Sequence, residues 1–132
     1  MTSAGEKTEA ARRIMIVEDE EAVRGVLRRA LPSQRYDVEE AVDGEQALAL
    51  IERGTPDLVV LDWKLPGIHG SLVLDELKRR YPELPVIVIT GDSGENSRGF
   101  AEALRVDAFL TKPFNPLELL ETIERLLGER PT

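Results

Sequence analysis

The chain has 132 residues, 42% of them hydrophobic and 32% charged, which fits one globular domain burying about two-thirds of its unfolded surface. The absence of cysteine excludes disulfides, thiolate metal sites and a cysteine nucleophile, and a net charge of −8 argues against direct nucleic-acid binding, which relies on Lys and Arg neutralising phosphates. No apolar run approaches the length of a membrane span, and residues 1–13 lack the apolar core of a signal peptide, so a cytoplasmic protein with neither a membrane nor a nucleic-acid partner is expected.

Residues 1–12 are polar and rich in small side chains, and they read as a disordered lead-in to a domain over 13–128, with 129–132 as a tail. Ile14-Met15-Ile16-Val17 is the first buried strand, and it runs directly into Glu18-Asp19-Glu20-Glu21. Val23, Val26, Leu27, Ala30 and Leu31 then recur at helical spacing, which predicts a helix over 20–31 closed by Pro32. The acids at its start suit the positive end of the helix dipole. Residues 36–42 partly alternate polar and apolar, as a half-exposed edge strand does. Asp43 and Gln46 have capping-box spacing, and the helix they open carries Ala47, Leu48 and Ile51 and is expected to end at Gly54 as a C′ glycine, with Pro56 preventing continuation.

Leu58-Val59-Val60-Leu61 is a continuous apolar run ending in Asp62, the pattern of a strand covered on both faces. After the Pro66-Gly67 turn, residues 70–80 form a helix with Leu74, Leu77 and Tyr81 inward. Val86-Ile87-Val88-Ile89 is another buried strand, ending in Thr90-Gly91-Asp92. A helix is expected over 95–105 with Phe100, Ala103 and Leu104 inward. It should be the weakest of the five, because Gly and polar breakers crowd its start and each interior Gly costs up to about 1 kcal/mol. Ala108-Phe109-Leu110 is the last strand, followed by Thr111-Lys112-Pro113. Asn115 caps the final helix, with Pro116 in its first position and Glu118 three residues after the cap. Its apolar face is expected to carry Leu117, Leu120, Ile123 and Leu127.

Five strand–helix units in this order predict an α/β fold. Right-handed crossovers make it a (βα)5 doubly wound, five-stranded parallel sheet of order 2-1-3-4-5, flavodoxin-like, with the alternating second strand on an edge. Such sheets place their chemistry at the carboxyl ends of the strands. There the first strand delivers Glu18 and Asp19, the third Asp62, the fourth Thr90 and the fifth Lys112. Three adjacent carboxylates repel and call for a cation. All-oxygen ligands select a hard one such as Mg²⁺, which keeps several waters and commonly also binds phosphate. A lysine and a hydroxyl beside it supply donors for phosphoryl oxygens. The set reads as an acidic Mg²⁺ pocket that accepts a phosphoryl group onto a carboxylate.

Four pieces, Ile16-Val17-Glu18-Asp19-Glu20, Asp62-Trp63-Lys64-Leu65-Pro66-Gly67-Ile68-His69-Gly70, Val88-Ile89-Thr90-Gly91 and Leu110-Thr111-Lys112-Pro113-Phe114, stand in order at those strand ends. In them the chain resembles the CheY-like receiver domains of two-component response regulators, over about residues 13–128. The resemblance implies that Asp62 is the phosphorylated residue. It implies that Asp19, Asp62 and the backbone carbonyl of Lys64 bind Mg²⁺, with Glu18 helping through water. Lys112 would pair with the phosphoryl group, Thr90 would turn toward it, and Phe109 would rotate inward behind it. The phosphoryl donor would be a sensor histidine kinase or a phosphotransfer protein. The output surface would be the fourth helix, fifth strand and fifth helix, docking a downstream protein or a second copy of the domain. The resemblance makes the chain a regulatory domain rather than an enzyme. It departs from the family pattern at Glu18, where Asp is commonest and reaches less far. It departs also at Phe109, where Tyr is frequent and carries a hydroxyl, and at Arg105, where glycine is frequent. Lys64 and Asp92 fall where the family tunes phosphoryl lifetime.

Competing readings are weaker. A phosphatase of the haloacid-dehalogenase type needs a second Asp two residues after its nucleophile, and that position is Lys64. A flavin site needs a Ser/Thr/Gly-rich loop after the first strand, where this chain has four acids. A receiver-like module that binds partners without phosphorylation remains the main alternative. His69, the sole histidine, reads as loop surface, and Trp63 as a partly exposed reporter beside the metal pocket. No output domain follows Leu127, which fits either a stand-alone receiver or a segment of a longer regulator.

Overall fold

The computed structural model describes residues 11–91 and 106–128. In chain order these form β1 (Arg12–Val17), α1 (Glu21–Arg29), β2 (Tyr36–Ala41), α2 (Gly44–Arg53), β3 (Leu58–Asp62), α3 (Gly70–Arg80), β4 (Val86–Thr90), β5 (Ala108–Thr111) and α4 (Pro116–Leu127). The expected 95–105 helix, with Asp92, Phe100, Ala103, Leu104 and Arg105, lies outside the described residues, so α4 is the C-terminal helix. All four strand pairings are parallel and the order is β2-β1-β3-β4-β5, as predicted. Among the described residues no helix is long and apolar enough to cross a membrane.

The apolar strands feed both faces because successive side chains alternate. Met15, Val17, Val59 and Leu61 point to one face, against Ala47 and Ile51 of α2 and Val73, Leu74 and Leu77 of α3. Ile14, Ile16, Leu58 and Val60 point to the other, against Leu27 of α1 and Leu119 and Ile123 of α4. Each fully buried side chain of this size contributes about 1.5–3 kcal/mol. A buried Glu124 fixes α4 from its polar side, 2.8 Å from Arg35, whose guanidinium also lies over the Tyr36 ring. The register brings the strand ends level. Val17 pairs with Leu61, Asp62 with Ile89, and Thr90 with Thr111. The residues that follow these positions therefore share one rim.

Several local expectations change. Trp63 is buried, only 3% exposed, rather than partly exposed, because the alternation of β3 continues past Asp62 and puts Trp63 on the same face as Leu61. On α4 the inward leucine is Leu119, fully buried, while Leu117 is 60% exposed. Two residues turn a helix by about 200°, so the two leucines face opposite ways. Leu119 and Ile123, four apart, define the packed stripe. Gly54 has φ 174°, an extended conformation open to any residue, so it is not a left-handed cap. Asp43 does cap α2, accepting from the Gln46 N–H at 2.8 Å. Gln46 returns to the Val42 N–H rather than to that of Asp43, one residue earlier than in a standard capping box.

Candidate functional site

Glu18 leaves β1 still paired with the sheet, its N–H donating to the Ala41 carbonyl at 3.0 Å. Its side chain is 1% exposed and folds back so that Oε2 accepts from the Glu20 N–H at 3.0 Å. Asp19, next along, is exposed. Asp62 ends β3 at 5% exposure, and the Lys64 N–H lies 3.4 Å from its Oδ1. The chain places one ligand oxygen each of Glu18, Asp19 and Asp62 within 4.8 Å of one another, a grouping able to hold a metal ion.

Lys112 arrives from the opposite side. Its N–H donates to the Thr90 carbonyl at 2.7 Å, continuing the β4–β5 pairing, and its peptide bond to Pro113 is cis. Its Nζ lies 3.2 Å from Glu18 Oε1 and 3.4 Å from Asp62 Oδ1, so one cation bridges the two buried carboxylates. Burial pushes the Asp62 carboxyl above the ordinary range, and Lys112 only partly opposes this. Burial likewise raises Glu18, opposed by the Glu20 N–H and reinforced by the charge of Asp62. For Lys112 burial works downward, but Asp62 and Glu18 outweigh it and raise the ammonium. The ionised acids thus want more positive charge than Lys112 supplies.

The remaining sequence-derived residues lie around this centre. Thr90 is fully buried at the end of β4, one position beyond the partner of Asp62 in register. Phe109 is half-buried on β5, opposite Val88, and packs on the core face formed with α2 and α3. The Lys64 side chain is exposed. His69 is exposed, as a loop residue should be, yet it has a job: its Nδ1 accepts from the Ser71 N–H at 3.0 Å and caps α3. Its ring also meets Trp63 edge-on at 5.5 Å.

Two contributors are given no role by the sequence, although Gly70 closes the piece that begins at Asp62. Gly70 opens α3 against the strand end. Its N–H donates to the Trp63 carbonyl at 3.1 Å, and a Cβ there would fall 2.6 Å from that oxygen and 2.8 Å from the Asp62 carbonyl. Only glycine lets the helix sit this close behind Asp62. Arg24, on α1, sends its guanidinium back to the Glu18 carbonyl at 2.8 Å. In the sequence nothing separates Arg24 from Arg28 and Arg29 on the same helix.

The sequence matches the response regulator receiver domain family over residues 14–124, most of the chain. The chain belongs to that family. Solved structures agree with the assignment. A CheY-like receiver domain protein from Methanospirillum hungatei superposes with TM-score 0.84 at 32% identity, covering 89% of this chain and 94% of that one. The chemotaxis response regulator CheY4 of Vibrio cholerae gives 0.80 at 26%, covering 88% and 98%. NtrX from Brucella abortus gives 0.83 at 34%; this receiver covers 89% of its own length there but 27% of the longer NtrX chain. The fold is thus CheY-like, and the acidic cluster with its lysine sits where the sheet of this receiver ends.

Proposed function

We propose that this receiver is a phosphoacceptor switch, in which Asp62 takes a phosphoryl group from a phosphohistidine and the change is read by a partner protein. One observation carries the reading. Three carboxylates gather within 4.8 Å while Lys112 bridges two of them, leaving a pocket rich in anionic oxygen with one cation at its edge. The donor set fits a hard divalent cation such as Mg²⁺, since all ligands are oxygen and burial resists ionisation of Glu18 and Asp62 until more positive charge arrives. Asp19, Asp62 and the Lys64 carbonyl would hold it, with Glu18 in support. Such an ion, when bound, neutralises the phosphoryl oxygens during transfer.

An Asp62 carboxylate oxygen attacks phosphorus, the donor's P–N bond breaks, and the imidazole leaves with the bonding pair and takes up a proton. Lys112 Nζ, already beside Asp62, pairs with a phosphoryl oxygen once the carboxylate charge has moved outward. An apolar groove of about 460 Å³, formed by Ala22, Val23 and Val26 of α1 with Pro113 and Phe114, borders Lys112 and suits the donor protein's surface around its histidine. The new dianion favours a state in which Thr90 and Phe109 repack. This shifts an existing equilibrium toward a β5 and α4 surface that docks the downstream protein or a second copy. Lys64 stands where a phosphatase would need its second acid, which favours regulation over turnover.

Acetyl phosphate with Mg²⁺ should add a single phosphoryl group, seen by intact mass and mapped to Asp62. Chelation or Asp62→Asn should abolish the adduct. A wild-type adduct mapped to another residue would overturn the assignment.

A further inference from the structure

We infer that Arg24 is a positioning residue for the cation pocket, acting through the backbone of the Glu18–Asp19 turn and held in place by Glu40. The inference rests on the cation-binding reading above. Of the three clustered acids, Glu18 and Asp62 are buried and pinned by the Glu20 and Lys64 N–H groups and by Lys112. Asp19 is exposed, and among the described residues its carboxylate has no hydrogen bond or ion pair. Its carboxylate sits in the cluster against the repulsion of Glu18 and Asp62, so its place there depends on the backbone that carries it.

That backbone is held on either side by the Glu18 N–H on the Ala41 carbonyl and the Glu20 N–H on Glu18 Oε2, each at 3.0 Å, and the peptide between Glu18 and Asp19 is held by Arg24. Arg24 Nη1 donates to the Glu18 carbonyl at 2.8 Å. This carbonyl belongs to the planar peptide that carries Asp19, so fixing it fixes the direction in which Asp19 leaves the chain. Arg24 is itself anchored. Its Nε donates to Glu40 Oε1 at 3.1 Å, on the strand beside β1, and the other Glu40 oxygen is engaged by Arg28. Its side chain is largely buried at 14% exposure. The fork geometry of a guanidinium allows one side chain to hold a carbonyl and a carboxylate at once, which an ammonium does less well. The Arg24 backbone N–H also donates to Glu20 O at 3.0 Å, so the same residue closes the turn and starts the helix.

Residues that orient metal ligands without touching the metal typically alter affinity by about 10–100-fold when removed. Mg²⁺ titrations followed through the backbone amide resonances of Asp62 to Lys64 measure affinity without any phosphotransfer. Arg24→Met should raise the Mg²⁺ dissociation constant by about tenfold or more. Glu40→Ala should raise it severalfold by loosening Arg24. Asp19→Ala should abolish binding. If Asp19→Ala binds Mg²⁺ like wild type, the cation reading itself fails. If Asp19→Ala loses binding while Arg24→Met matches wild type, the cation reading stands and the positioning role is overturned. Should Arg24→Met not fold, Glu40→Ala decides in the same assay: weakened binding supports the role, and wild-type affinity ends it.

Discussion

Gly70→Ala should destabilise the receiver, although it adds a helix-favouring residue to α3. The added Cβ would stand 2.6 Å from the Trp63 carbonyl, 2.8 Å from that of Asp62 and 2.9 Å from the Trp63 Cα. All three are backbone atoms of the strand end, so no rotamer change relieves the contact. Overpacking of this kind costs about 1–3 kcal/mol, against a gain of about 0.4–1 kcal/mol from a less flexible unfolded chain. The net loss is about 1–2 kcal/mol, a fall in Tm of roughly 3–8 °C for a domain of this size. Gly25→Ala is the matched control. Its Cβ would meet Arg29 Nη1 at 3.1 Å, the far end of a flexible side chain, and Gly25 lies within α1. That variant should gain about 0.5–1 kcal/mol. Urea titrations of both should move the midpoint in opposite directions with unchanged slopes. A Gly70→Ala protein as stable as wild type would refute the close approach of α3 to Asp62.

Asp62→Asn should stabilise the protein in chelator at neutral pH. A carboxyl raised by burial binds its proton more tightly when folded, so its contribution is full below the ordinary carboxylate range and is lost as pH rises through the raised value. Urea midpoints of the two proteins should converge in acid and separate above that window; a wild type more stable than the variant at pH 7 contradicts the sign. Lys112→Met should cost about 3 kcal/mol at neutral pH, because it leaves the buried carboxylates of Glu18 and Asp62 without their cation, and much less in acid where they are protonated. A loss independent of pH would show that packing, not charge, dominates at Lys112. Leu119→Ala should cost about 2–5 kcal/mol and Leu117→Ala less than about 0.5 kcal/mol, since the first is fully buried and the second 60% exposed. Equal losses by thermal melting would mean that α4 packs by its other face.

The strand order and the four strand-end groups were legible because both follow from one-dimensional patterns. Continuous apolar runs mark strands covered on both faces, and the residue ending each run lands on the functional rim. What escaped was set by geometry across elements. On α4 the expected Leu120, Ile123 and Leu127 do pack against the cluster that holds Ile14 and Ile89, but Leu119 takes the inward place expected for Leu117, because the opposing sheet face decides which edge of a leucine-rich helix is covered. Trp63 reads as rim because it follows the strand-end acid Asp62, yet the alternation of β3 carries on past Asp62 and buries Trp63 beside Leu61. Gly70 and Arg24 act through carbonyl oxygens, which every residue possesses and no pattern displays. The clustered carboxylates and Lys112 are side-chain chemistry and can be read from letters. The parts that hold Asp19 and Asp62 in place are backbone chemistry, and only the folded chain brings a guanidinium or a bare Cα to those oxygens.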